Sequence, residues 1–235
     1  MSENGSIKYY TGTINLFCIG YWFIWNHSFA MIPKLAAMAV KLGQVTTNIT
    51  GIDFALHSDS LGQVLMVCLL MALSLAANGH KAINQVTNTW NWAPLLLVAG
   101  QLWLYGGAKL AGVQFIALPD IVNHATREIV FWQMAGRNET LIIMAGLVQV
   151  IIAISLWIPK IRRMAGWAAL ACFIFIVGLN IYFEIHVMIH AIILLMVSAY
   201  IVWRGKKSFE VSPRQALVLS IVFAALLAEG AYYLI

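Results

Sequence analysis

Thr140-Leu141-Ile142-Ile143-Met144-Ala145-Gly146-Leu147-Val148-Gln149-Val150-Ile151-Ile152-Ala153-Ile154-Ser155-Leu156-Trp157-Ile158 carries no Asp, Glu, Lys or Arg. As a helix rising about 1.5 Å per residue it reaches roughly the ~30 Å thickness of a bilayer's hydrocarbon core. It ends at Pro159-Lys160-Ile161-Arg162-Arg163, and a second apolar run follows over 164–183. Two such runs around a short basic turn predict a transmembrane helical hairpin with its turn on the cytoplasmic side.

Outward from this hairpin the pattern repeats. Apolar runs at 13–32, 60–78, 92–116, 187–203 and 214–234 bring the expected number of spans to seven. The third run is long and is expected to bend or leave the membrane near Gly106-Gly107. The composition agrees: 62% of the 235 residues are hydrophobic and 10% charged, with a mean hydropathy of +0.84. A soluble domain carries about 25% charged residues to cover its surface. No Gly/Ser linker or charge block divides the chain, so it reads as an all-α, polytopic transmembrane bundle forming a single domain over 1–235. The first apolar run has no small-residue cleavage site after it and is expected to be a retained span.

Lys and Arg orient the bundle. With the N-terminus inside, Lys8, Lys81, Lys160, Arg162, Arg163, Arg204, Lys206, Lys207 and Arg214 lie inside. Lys34, Lys41, Lys109, Arg127 and Arg137 lie outside. The excess inside predicts N-terminus in and C-terminus out. The net charge of +5 is therefore read as a topology signal. Lys and Arg are not clustered on a polar surface, so no nucleic-acid partner is expected. The expected partners are the lipid bilayer and either other membrane subunits or further copies of the chain.

This orientation gathers the chemistry-bearing residues on the outer face. His27, His57, His124, His186 and His190 are expected there, with Glu184, Asn180 and Glu229, and with Lys34 and Lys109 just past the outer helix ends. Ionisable groups at membrane depth are costly and generally face a cavity or a partner. The sharpest element is Glu184-Ile185-His186-Val187-Met188-Ile189-His190. On a helix, His186 and His190 at i, i+4 would present both imidazoles from one face and could share a metal ion. His27, His124 or Glu229 would supply a third ligand, and Glu184 is a further candidate. Imidazole with carboxylate suits copper, zinc or iron. Structural or proton-handling contacts are the alternative reading of the same histidines. Glu229, alone in the last span, reads either as a cation or proton site or as a carboxylate reaching water.

The outer connection Pro119–Trp132 reads as an amphipathic interfacial helix with Asp120, His124, Arg127 and Glu128 on one face, anchoring at the interface or covering a cavity. Gln101 and Gln149 are expected to hydrogen-bond between helices. Cys18, Cys68 and Cys172 are expected to be packing residues, since none forms a CxxC pair. Tyr21-Trp22, Trp90, Trp92, Trp132, Trp203 and Tyr232-Tyr233 read as an interfacial aromatic belt.

Three short stretches carry a family resemblance. They are Tyr105-Gly106-Gly107-Ala108-Lys109-Leu110-Ala111-Gly112, then Ala145-Gly146-Leu147-Val148-Gln149-Val150 through Leu156–Arg163, then Ala165-Gly166-Trp167 to Asn180-Ile181-Tyr182. Through them residues 102–204 resemble the DoxX-like membrane proteins, a family of four-helix units. The chain would then divide into N-terminal spans and outer loop (1–101), a four-helix unit (102–204) and an extra C-terminal span (205–235). The resemblance implies a prokaryotic cytoplasmic (inner) membrane and a redox partner. Members include membrane subunits of thiosulfate:quinone oxidoreductase, so a quinone is the cofactor expected beside a transition metal. The first two spans and the seventh depart from the family's pattern, and no catalytic residue carries over.

The function expected is a membrane subunit of a redox-linked system, an oxidoreductase subunit, with a polar, histidine-rich site at the outer face. Lys109, Asp120, His124 and Glu229 are its candidate cofactor-binding residues. His186, His190, His27 and Glu184 are its candidate metal ligands. A metal-dependent membrane enzyme, a small transporter or ion pathway, and a structural subunit are the alternatives. Nothing supports a retinal pump, which needs a buried lysine that the last span lacks, or a Ser–His–acid hydrolase.

Overall fold

The structure, a computed structural model, describes residues 3–27, 58–111, 127–183, 185 and 187–204. All regular structure among them is α-helical. The helices are α1 (Glu3–His27), α2 (Ser58–Asn78), α3 (Lys81–Thr87), α4 (Ala93–Leu110), α5 (Arg127–Gly136), α6 (Glu139–Trp157), α7 (Arg162–Phe183) and α8 (Met188–Arg204).

Among the described helices, α6 and α7 are long and apolar enough to cross a bilayer. A third qualifies if α2 and α3, bent by 111° at Gly79-His80, are counted as one broken span; α8 is apolar but shorter. The apolar runs at 60–78, 140–158, 164–183 and 187–203 all fall on helices. The run at 214–234 lies outside the described residues.

The helices pack as two rings that share a wall. α4, α6, α7 and α8 close one ring, each against the next. α1 and α2 close a second, α1 packing on α2 and α4, and α2 on α8. α4 therefore stands in both rings, and all ten residues from Ala93 to Leu102 are buried. A helix apolar all round must be enclosed on every side. Pro94 starts it, where the missing N–H would lack an intrahelical partner anyway.

Two glycines explain the closest helix crossing. A Cβ on Gly106 would lie 2.9 Å from the Gly146 carbonyl oxygen, and one on Gly146 would lie 2.9 Å from that of Gly106. α4 and α6 thus cross backbone to backbone, the small-residue packing that membrane helices use. This corrects the expected bend near Gly106-Gly107. α4 runs unbroken through both residues to Leu110, because Gly106 serves the contact and not a change of direction.

α1 also begins earlier than its apolar run, which was expected to start near residue 13. The start of that run is held by polar contacts that hydropathy scores against a span. Asn15 Nδ2 donates to the Thr87 carbonyl (2.9 Å), Thr87 Oγ1 to Asn78 Oδ1 (2.7 Å), and Asn78 Nδ2 to Thr13 Oγ1 (3.1 Å). Gly12 makes room for them, since a Cβ there would sit 2.7 Å from both Asn78 Oδ1 and Thr87 Oγ1. This knot pins the α2–α3 corner to α1.

The turn between α6 and α7 is built by its own arginine. Buried Arg162 donates from Nε to the Leu156 carbonyl (2.9 Å) and from Nη2 to that of Trp157 (3.4 Å), satisfying carbonyls that a helix end leaves free. At the opposite end of α6, Asn138 Oδ1 accepts from the Leu141 N–H (3.0 Å), an N-cap that Glu139 supports in the first turn.

Candidate functional site: a buried histidine among aromatic side chains

His190 lies in the first turn of α8 and is 2% exposed. The shared wall places it between α1 and α4. Its Nδ1 lies 2.8 Å from the Tyr21 hydroxyl. Its ring stacks on Trp25, centroids 3.9 Å apart and planes within 3°, and Tyr105 of α4 meets it edge-on at 6.0 Å. Phe17, Tyr21 and Trp25 follow one another at i, i+4 along α1 and form a stacked ladder. The Trp25 indole N–H in turn donates to the Tyr105 hydroxyl. Among the described residues the imidazole thus has aromatic ring contacts with Tyr21, Trp25 and Tyr105, two of which bring hydroxyl groups. Among the described residues, buried Nε2 has no hydrogen-bond partner. An orphaned buried polar atom costs about 1–3 kcal/mol.

The two tautomers give this centre two chemistries. If Tyr21 donates to Nδ1, Nε2 carries the proton and offers a donor. If Nδ1 donates to the Tyr21 oxygen, Nε2 offers a lone pair to a metal or a proton. In the second case Tyr21 fixes the ring as outer-shell partners of metal-bound histidines do.

A second polar group adjoins through Tyr105. Lys109 reaches back down α4, its Nζ 3.3 Å from the Tyr105 carbonyl oxygen, 5.8 Å from the centre of the Tyr105 ring and 3.0 Å from Gln149 Oε1 of α6. Gln149, ten residues into α6, also hydrogen-bonds half-buried Cys172 of α7. Lys109 therefore does not extend past the helix end towards water. Its Nζ is turned into the interface of α4 with α6, beside the residue that bonds α7.

Of the residues singled out in the sequence, His190 and Lys109 both approach the Tyr105 ring. His27 is the last residue of α1. Asp120, His124, Glu184, His186 and Glu229 lie outside the described residues. Among the described residues no three of His, Cys, Asp and Glu come close enough to hold one metal ion. The interhelical role expected for Gln149 is met by its bond from Lys109.

The aromatic belt needs correction. Tyr21 (0% exposed) and Trp22 (5%) are core residues, Trp22 lying over Gly100, where a Cβ would meet its ring at 2.3 Å. Trp203, at 75% exposed, does face outward. Among the cysteines, Cys18 is buried but Cys68 is exposed, which corrects the expectation of packing for Cys68. Sequence reasoning missed Tyr21, Trp25 and Tyr105. The signal available was the i, i+4 spacing of Phe17, Tyr21 and Trp25, which matches a helix face and not a span end.

A family model described as a domain of unknown function (DUF8561) matches residues 109–203, from Lys109 through α8. No curated protein and no solved structure matches the chain.

Proposed function

We propose that the chain is an integral membrane subunit of a redox-linked system, with the centre around His190 as its working site. The observation that carries this reading is the buried imidazole, held by Tyr21, stacked on Trp25, with no partner for Nε2 among the described residues. A group this costly to bury earns its place when a cofactor or a proton uses it. Aromatic faces beside a single hydrogen-bonding nitrogen suit a quinone head group. The resemblance of residues 102–204 to the DoxX-like proteins supports the redox reading. In this proposal the chain crosses a prokaryotic cytoplasmic membrane seven times with its N-terminus inside, and Lys109 and the first turn of α8 lie in the outer half.

The test is to purify the chain from its native membrane in lipid nanodiscs and to measure quinone, transition metals and co-purifying subunits. The same is done for His190→Phe. Retention of a quinone by the wild type, and its loss in the variant, is the expected result. A metal lost in the variant would favour the second reading, a metal centre, which the free Nε2 lone pair of one tautomer supports. No quinone, no metal and no redox partner in either sample would end the redox reading.

A further inference from the structure

Three contacts align the helix ends. Asn15 of α1 bonds Thr87, the last residue of α3. Thr11, one turn earlier on α1, hydrogen-bonds Tyr200, four residues before the end of α8. Gly166, near the start of α7, faces Val202 of α8. The α2–α3 corner, the α6–α7 turn and the end of α8 therefore lie at one end of the bundle. α4 runs away from this end and α6 runs towards it, so Lys109 and Arg137 lie at the other.

Two kinds of residue gather at the first end. Lys81, Lys160 and Arg163 are exposed there, and Arg204 closes α8. Glu3 and Lys8, in the first turns of α1, add one charge of each sign. Trp90 and Trp92 stand in the turn into α4 and Trp157 ends α6. Trp203, at 75% exposed, points outward beside Arg204. Tryptophan and basic residues at one level are the pattern of a membrane–water interface.

α3 has the shape for that level. It turns 111° from α2, so where α2 crosses a bilayer α3 lies along the surface. At about 100° per residue its seven positions divide into three sides. Asn84 and Thr87 bond Asn78 and face the bundle. Ala82, Ile83 and Val86 form an exposed apolar flank, and Lys81 and Gln85 an exposed polar one. Such a helix seats its apolar flank at the headgroup–acyl boundary and keeps its cation among the headgroups.

We propose that this end of the bundle, with α3 laid across it, docks on the headgroups of anionic phospholipid. The basic excess supplies the charge complementarity. The proposal rests on the membrane-spanning reading and is independent of the His190 centre.

The experiment reconstitutes the full chain in phosphatidylcholine vesicles holding trace spin-labelled phosphatidylglycerol or phosphatidylcholine. Electron paramagnetic resonance then measures the fraction of each label immobilised against the protein. The expected result is a preference for phosphatidylglycerol of about fivefold or more, the effect of one Lys or Arg at an anionic surface, that declines as salt is added. Lys81→Gln with Lys160→Gln and Arg163→Gln should bring the ratio close to one. Arg137→Gln, at the opposite end, should leave it as in the wild type. The substituted side chains are exposed, and unchanged circular dichroism checks that each variant folds. A folded wild type with no preference, or a preference that Arg137→Gln removes and the triple variant keeps, overturns the proposal. Release of the chain from vesicles by alkaline carbonate overturns the spanning reading as well; a chain that stays but shows no preference overturns this proposal alone.

Discussion

α4 and the α6–α7 hairpin are both apolar helices, yet they do opposite jobs. α4 is enclosed for ten consecutive residues, whereas only 33% of the apolar stretch of α6 and 28% of that of α7 is buried. Ile151, Ile154, Met164, Trp167, Ile174 and Phe175 point outward from α6 and α7. These two strongly apolar helices are thus far less packed than α4, and the polar residues with consequences, Gln149, Lys109 and His190, lie toward α4. Hydropathy marks the helices apolar enough to cross a bilayer. Packing of the protein against itself follows instead from small residues and paired polar groups.

The contrast is broken most severely at the α4–α6 crossing. Gly146→Leu drives a side chain into the Gly106 backbone and should cost about 3 kcal/mol, the upper end for overpacking, seen as loss of the monodisperse species on heating in detergent. Arg162→Met removes a charged cap and leaves the carbonyls of Leu156 and Trp157 unsatisfied. About 2 kcal/mol is expected, read as a lowered thermal midpoint. Tyr21→Phe keeps the stacking and removes only the bond to Nδ1, so a loss of about 1 kcal/mol is expected. Because the phenyl ring still fills its place, helical content by circular dichroism should be unchanged. Phe175→Leu, on the outward face of α7, should fall within about 0.5 kcal/mol of the wild type. A large loss there, with little loss at Gly146, would reverse the assignment of inner and outer helices.

The sequence made the all-α class and the α6–α7 hairpin legible because a charge-free run bounded by Pro159 and basic residues has few other solutions. It misled where a residue's role depends on a distant partner. Gly106-Gly107 looks like a flexible pair until Gly146, forty residues on, is placed against it. Thr13 and Asn15 look like stray polar residues at the start of an apolar run until Asn78 and Thr87 come round the α2–α3 corner. Arg162 reads as a free topology charge, and only the geometry of the turn shows it capping α6. His190 could be selected as an ionisable group in an apolar segment. That its neighbours would be Tyr21, Trp25 and Tyr105 could not be read, since helices α1 and α4 reach it from more than eighty residues away.

The native cysteines test the arrangement of inside and outside without any mutation. They lie on α1 (Cys18, buried), α2 (Cys68, exposed) and α7 (Cys172, half-buried). Alkylation of the folded chain by a membrane-permeant maleimide, followed by peptide mass spectrometry, ranks them directly. The expected order is Cys68 first, Cys172 later, and Cys18 only after denaturation. Labelling of Cys18 in the folded protein as fast as Cys68 would contradict the buried α1–α4–α8 core, and with it the enclosed histidine centre.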